Sequence, residues 1–131
     1  MAIEVIVPIQ MRFGDIDSYS HVNNIAQQSY FDVGKSAFFE KLWQVVGEAE
    51  QRDVMIVSVQ TDFVAQIRYG DKIEVATSIS SIGGKSLTLA QELLREGEIC
   101  SCSRAVMVCY DRERGEATEV PDSWRRAVEC K

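Results

Sequence analysis

The sequence predicts an α+β fold in which a five-stranded antiparallel sheet carries one long helix on one of its faces. Two changes of period point to it. From Asn24 to Val46 the apolar residues Phe31, Phe38, Leu42 and Val45 recur at helical spacing, with Asp32, Lys35, Glu40 and Lys41 between them. After Arg52-Asp53 the pattern alternates at every second residue. Helix and sheet each have one apolar surface, and each can hide it against the other.

Residues 3–12, rich in Ile and Val, read as a first strand, and Pro8 within it favours an edge or a bulge because proline cannot donate to a ladder. A polar loop follows from Gly14 to Asn23, then the helix. Gly34 falls near the apolar stripe, where it weakens the helix but lets the backbone approach the sheet. Four further strands are marked by Val57, Val59, Thr61 and Phe63; by Ile73, Val75, Thr77 and Ile79; by Leu87, Leu89 and Leu93; and by Val106, Val108 and Tyr110. The turns Tyr69-Gly70-Asp71, Gly83-Gly84-Lys85 and Glu96-Gly97 place glycine where positive φ is expected, and the four strands are expected to run as a meander. After Pro121, Asp122 is a candidate cap for a short helix over 123–128.

With 131 residues, 46% of them hydrophobic, the chain reads as one soluble domain over 1–131. Such a chain buries about two thirds of its unfolded surface, enough for a core without disulfides or structural metal. The net charge of −6 argues against a nucleic-acid partner, which would need a basic surface. No apolar run reaches the roughly 18–20 residues of a membrane span, and Met1 to Val5 show no signal-peptide pattern, so the cytoplasm is the expected compartment. Cys100, Cys102, Cys109 and Cys130 form no CxxC pair and no zinc-like spacing with His21, the sole histidine. Reduced thiols and no metal are expected, with Cys100 and Cys102 on one strand face and Cys109 on the other.

The stretch richest in chemistry is Arg12 to Asn24, which gathers Asp15, Asp17, His21, Asn23 and Asn24 directly before the long helix. A helix start offers unpaired N–H groups and partial positive charge, able to polarise a carbonyl oxygen. A carboxylate beside it can act as general base or nucleophile. Loop and capping roles for Asp15, Asp17 and Asn23, and a structural role for His21, are the plain alternatives.

The run Phe13-Gly14-Asp15-Ile16-Asp17, then His21-Val22-Asn23-Asn24 and Tyr30-Phe31, resembles the opening motif of the hotdog-fold acyl-CoA thioesterases of the 4-hydroxybenzoyl-CoA thioesterase type. Three further segments match in order: Asp62 to Asp71, Ile82-Gly83-Gly84-Lys85-Ser86, and Val108-Cys109-Tyr110-Asp111. The resemblance implies a hotdog fold and hydrolysis of an acyl-CoA to free acid and CoA, with no cofactor beyond the CoA carried by the substrate. It assigns Asp17 as the catalytic carboxylate and the Asn24 backbone amide as the oxyanion donor. It also implies that His21 and Asn23 shape the acyl end of the pocket, that Tyr30 faces it, and that Gly83, Gly84, Lys85 and Ser86 meet CoA. A homodimer or homotetramer with the site between subunits follows from the same likeness, so that residues around Val57 to Phe63, Ser58 and Thr61 among them, line a partner's pocket.

Four positions depart from the family pattern. Ser20 replaces a usual glycine before His21, Gln66 a common proline, and Asp32 with Lys35 an acidic and arginine pair. Three other functions stay open: a hydratase or dehydratase, an acyl-carrier-protein thioesterase, and a non-catalytic acyl-thioester binding module. Asp17 and His21 lack the Asn-Pro expected between a hydratase pair. An acidic carrier would need a basic patch, for which Arg104, Arg112, Arg114, Arg125 and Arg126 are the candidates.

Overall fold

In the computed structural model, which describes residues 3–129, the elements are β1 (Glu4–Pro8), α1 (Asn24–Val46), β2 (Asp53–Phe63), β3 (Ile73–Ile82), β4 (Ser86–Arg95), β5 (Glu98–Asp111), β6 (Glu116–Ala117) and α2 (Asp122–Glu129). The antiparallel sheet runs in the order β1-β3-β4-β5-β2, with the two-residue β6 added to β5. This is the expected α+β arrangement, a five-stranded sheet around one long helix, and α1 has the predicted bounds. Its start is fixed by Asn23, whose side chain accepts from the Ala26 N–H at 2.7 Å.

Two clusters fill the space between helix and sheet. Phe38, Phe39 and Leu42 pack with Leu87, Leu89, Met107, Cys109 and Trp124, while Val22, Tyr30 and Phe31 pack with Ile67, Ile73, Val75, Leu93 and Cys100. Between the clusters α1 crosses β3 at Gly34. A Cβ built there would meet Thr77 Oγ1 and Val75 Cγ2 at 2.7 Å, so the missing side chain is what allows the approach. Buried Gln91 ties the same crossing together, donating to the Phe31 carbonyl at 2.7 Å and to Thr77 Oγ1 at 3.0 Å.

Several expectations need correction. Only β3, β4 and β5 form a meander; β2 pairs with β5 at the far edge, because the long connection through Asp71 carries the chain across the sheet. The first strand ends at Pro8, the last residue paired to β3, and β1 is the edge that its proline permits. Val45 is half-exposed because the buried stripe continues from Phe38 and Leu42 to Val46, which packs against the core, and leaves Val45 to one side. On β5 the helix-facing set is Ala105, Met107 and Cys109, not Val106, Val108 and Tyr110. The cysteine faces differ for a related reason. Leu93 pairs with Ser101 but Leu94 with Ile99, leaving Cys100 as a bulged residue that turns inward with Ser101. Cys100 and Cys109 are therefore both fully buried on the helix side, Cys102 half-buried on the other face; all three are free thiols, and Cys130 lies outside the described residues.

Of the predicted turns, Gly70 and the Glu96-Gly97 pair have positive φ, whereas Gly83 and Gly84 do not. Glu96 at 51° and Gly97 at 85° make the tight hairpin turn that needs two left-handed residues. The short C-terminal helix, expected over 123–128, is α2. It buries Trp124 completely, with the indole N–H on the Glu50 carbonyl at 2.8 Å. Among the described residues no helix is long and apolar enough to cross a membrane.

Candidate functional site

The polar loop folds back on itself just before α1. Ile16 and Val22 form an antiparallel bridge, His21 bridges Arg68, and the Val22 N–H reaches the Ile67 carbonyl at 2.7 Å. The loop is thereby stitched to the segment between β2 and β3. Asp15 anchors it from beneath: its carboxylate accepts from the Tyr30 hydroxyl at 2.6 Å and from the Arg12 N–H at 3.0 Å. The Tyr30 hydrogen bond, with help from the Arg12 amide and charge, outweighs burial and holds the Asp15 carboxyl below its ordinary value.

Asp17 sits at the bend. Its Oδ1 accepts from the Tyr19 N–H at 2.9 Å and from the His21 N–H at 3.3 Å, while its Oδ2 has no hydrogen-bond partner among the described residues. One carboxylate oxygen is fixed by the backbone and the other is free. Ser20, which closes this turn by donating its N–H to the Asp17 carbonyl at 3.0 Å, has φ 66°. That is the left-handed conformation a glycine would adopt freely, so the departure at Ser20 costs strain rather than changing the bend.

Asp17, His21, Val22, Asn23, Asn24 and Gln27 line an open cleft of about 530 Å³ whose opposite wall is Phe63, Val64, Ala65 and Gln66. The helix start opens onto it. Asn23 Oδ1 satisfies the Ala26 N–H and the Asn23 carbonyl takes the Gln27 N–H, while the Asn24 N–H has no partner among the described residues. The cleft thus joins a free carboxylate oxygen to an unpaired helix N-terminal donor, the two parts needed to attack a carbonyl and hold the oxygen that becomes negative.

The predicted residues do not all converge. Asp17, His21, Asn23 and Asn24 share the cleft. Tyr30 does not face it: it is 5% exposed, packed in the core beneath, with its hydroxyl on Asp15. Ser58 and Thr61 lie on β2 beyond the cleft wall, where Thr61 Oγ1 accepts from Gln28 of α1 at 2.8 Å. Gly83, Gly84, Lys85 and Ser86 stand at the other end of β4 from Arg95, whose guanidinium reaches the Gln66 carbonyl at the cleft rim at 2.8 Å. Nine steps of strand separate those ends, roughly 30 Å. The carbonyls of Gly83 and Gly84 there accept from Arg125, and Val120 N–H adds to Gly84.

Gln27 and the wall residues Val64 to Gln66 escaped sequence reasoning, and Phe63, expected to line a partner's pocket, borders the chain's own cleft. Gln27 had a signal, standing one turn after Asn23 on the same helix face. Among the described residues no three His, Cys, Asp or Glu side chains are grouped to hold a metal. Three of the five candidate carrier-patch arginines are paired with acids: Arg112 is forked onto Asp53 at 2.8 and 2.9 Å, Arg114 lies by Asp111 and Glu116, and Arg125 by Asp122.

Residues 11–128 match the model of the thioesterase-like superfamily. An uncharacterized protein of Bacillus subtilis strain 168, YsmA, is 30% identical over 123 residues, covering 92% of this chain and 82% of its own. A predicted thioesterase from Bacillus stearothermophilus is similar in structure, with a TM-score of 0.83, 27% identity, and coverage of 96% of this chain and 94% of that one. A thioesterase from Thermus thermophilus, complexed with coenzyme A and Zn, has the same fold, with a TM-score of 0.81 at 23% identity over 95% and 97% of the two chains.

Proposed function

This chain belongs to the thioesterase-like superfamily, and from that footing we propose that it hydrolyses an acyl-CoA thioester to the free acid and CoA, with Asp17 as the catalytic carboxylate. The observation that carries the proposal is the pairing, in one cleft, of the free Asp17 Oδ2 with the unpaired Asn24 N–H. The thioester carbonyl oxygen accepts from Asn24 N–H at the positive end of α1, and that bond strengthens as negative charge gathers on the oxygen. Asp17 then acts in one of two ways. As base it takes a proton from water while the water oxygen adds to the carbonyl carbon. As nucleophile its own oxygen adds, and water later cleaves the acyl-aspartyl anhydride. In both routes the C–S bond breaks, sulfur leaves with its electron pair and is protonated as CoA thiol, and one water is consumed.

His21 and Asn23 serve this chemistry by position. The His21 N–H holds Asp17 Oδ1, and Asn23 caps the helix whose first amide is the donor. Both also border the cleft and so shape the acyl end.

A second copy of the chain completes the site. The helix-side face of edge strand β2 exposes Ile56, Val59 and Phe63, with the bulged Val57 beside them, each between 40% and 57%. This edge carries no Lys, Arg or Pro to discourage pairing, and it adjoins the half-open cleft wall at Phe63. A homodimer formed along β2 covers the stripe and brings Thr61, on the same face, toward the partner's cleft, with Ser58 on the opposite face of the paired edge; in a tetramer the turn Gly83 to Ser86 would reach CoA bound to another subunit.

Thiol release from a panel of short, long and aromatic acyl-CoAs tests the reading. Turnover of at least one member is expected. Release of no thiol from any of them, with hydrolysis of a matched acyl-carrier substrate or of none, would overturn it.

A further inference from the structure

The cleft holds a buried polar side chain that the hydrolytic reading does not use, set deeper than the exposed Gln66 at the rim. Gln27 is 5% exposed and lines the cleft one helical turn from Asn23 and Asn24, among the apolar Val22, Phe63, Val64 and Ala65. Its Oε1 accepts from the Ser101 hydroxyl at 2.8 Å, and its Nε2 donates to the Val22 carbonyl at a long 3.3 Å. The reverse orientation would set Oε1 against the Val22 carbonyl, two acceptors facing each other, so the amide is fixed with nitrogen toward the helix start. An amide nitrogen has two hydrogens. One is weakly used, and the second has no partner among the described residues.

A buried donor of this kind is costly where the ligand is plain hydrocarbon, and an apolar residue would serve such a ligand better. It favours a ligand that brings an acceptor. Resting on the acyl-CoA reading of the cleft, we propose that Gln27 is a specificity residue that selects acyl groups bearing an oxygen close to the thioester, at the third carbon, as a 3-hydroxyacyl or 3-oxoacyl chain does. The distance supports that position. Three residues of helix rise, about 4.5 Å, separate the Asn24 amide from Gln27. The carbonyl oxygen occupies the first donor, and an oxygen two carbons further along the acyl chain comes within reach of the second. The apolar Phe63, Val64 and Ala65 beside it disfavour charged acyl groups, while the buried amide rewards a neutral acceptor.

The test compares kcat/KM for 3-hydroxybutyryl-CoA and butyryl-CoA in the wild-type protein, in Gln27→Leu and in Gln27→Met. The wild type should favour the hydroxylated substrate by about tenfold or more, as sites built to bond a substrate hydroxyl do. Both variants should lose that preference mainly by slowing the hydroxylated substrate. The wild-type ratio needs no variant to fold. A wild type that turns over both substrates equally, or favours butyryl-CoA, overturns the role of Gln27 and leaves the thioesterase reading standing. An unchanged ratio in a folded variant does the same. No hydrolysis of any acyl-CoA overturns both.

Discussion

The Tyr30 hydroxyl donates to Asp15 Oδ2 across 2.6 Å, joining the second turn of α1 to the loop that presents Asp17. Burial, then the Asp15 carboxylate, push the Tyr30 phenol well above its ordinary 10.0, while the hydrogen bond from Tyr30 holds Asp15 below 3.8. Both groups therefore stabilise the fold between those values. The Asp15 contribution is lost as pH falls below about 4, and the Tyr30 contribution as pH rises above about 10. Tyr30→Phe is expected to cost about 1–2 kcal/mol at pH 7 in urea melts. It should also remove the loss of stability above pH 10. An unchanged midpoint would mean that the bond does not support the loop.

Ser20 supplies a second test. A non-glycine residue in the left-handed region stores about 1 kcal/mol or more, and glycine returns part of that gain through its freer unfolded chain. Ser20→Gly should raise stability by about 0.5–1 kcal/mol without loss of activity, whereas Ser20→Val, branched at Cβ, should lower it. Calorimetry on both variants decides the point. A destabilised Ser20→Gly would show that the Ser20 side chain, not the bend, is needed.

At Gly34 two effects oppose each other. Alanine gains about 1 kcal/mol of helix propensity. Its methyl must enter a space where Thr77 Oγ1 and Val75 Cγ2 already stand at 2.7 Å. Overpacking of that kind costs about 1–3 kcal/mol. Gly34→Ala should therefore destabilise on balance, and a thermal midpoint higher than wild type would contradict the close crossing.

Edge strand β2 carries the oligomer prediction. Light scattering should find the wild type as a dimer or larger, and Val59→Glu, which places a charge within the apolar stripe, should give a folded monomer with reduced thiol release. A wild-type monomer with full activity would remove the partner from the site.

Much of this was legible in the chain. The 3.6 period gave α1 its bounds, and the motif before it placed Asp17, His21, Asn23 and Asn24 together, because loop residues next to a helix start cannot lie far from it. Strand order was less legible. Alternation says which residues share a face but not which strand is the neighbour, so β2 was expected beside β3 and lies beside β5. The bulge at Cys100 shifted a face by one residue, a change that leaves no mark in an alternating pattern. Tyr30 shows a further limit. Its helical position was plain, yet only the three-dimensional packing reveals that its hydroxyl is taken by Asp15.

The central claim is that the free oxygen of Asp17 does the chemistry. It is tested most directly by kcat for thiol release in wild type and Asp17→Asn, on whichever acyl-CoA the wild type turns over fastest. The amide keeps an oxygen to accept from Tyr19 and His21 but offers neither base nor nucleophile at the other position. A fall of about a hundredfold or more in kcat, with the fold intact by circular dichroism, is expected. Equal rates in the two proteins would contradict the account and move catalysis away from this carboxylate.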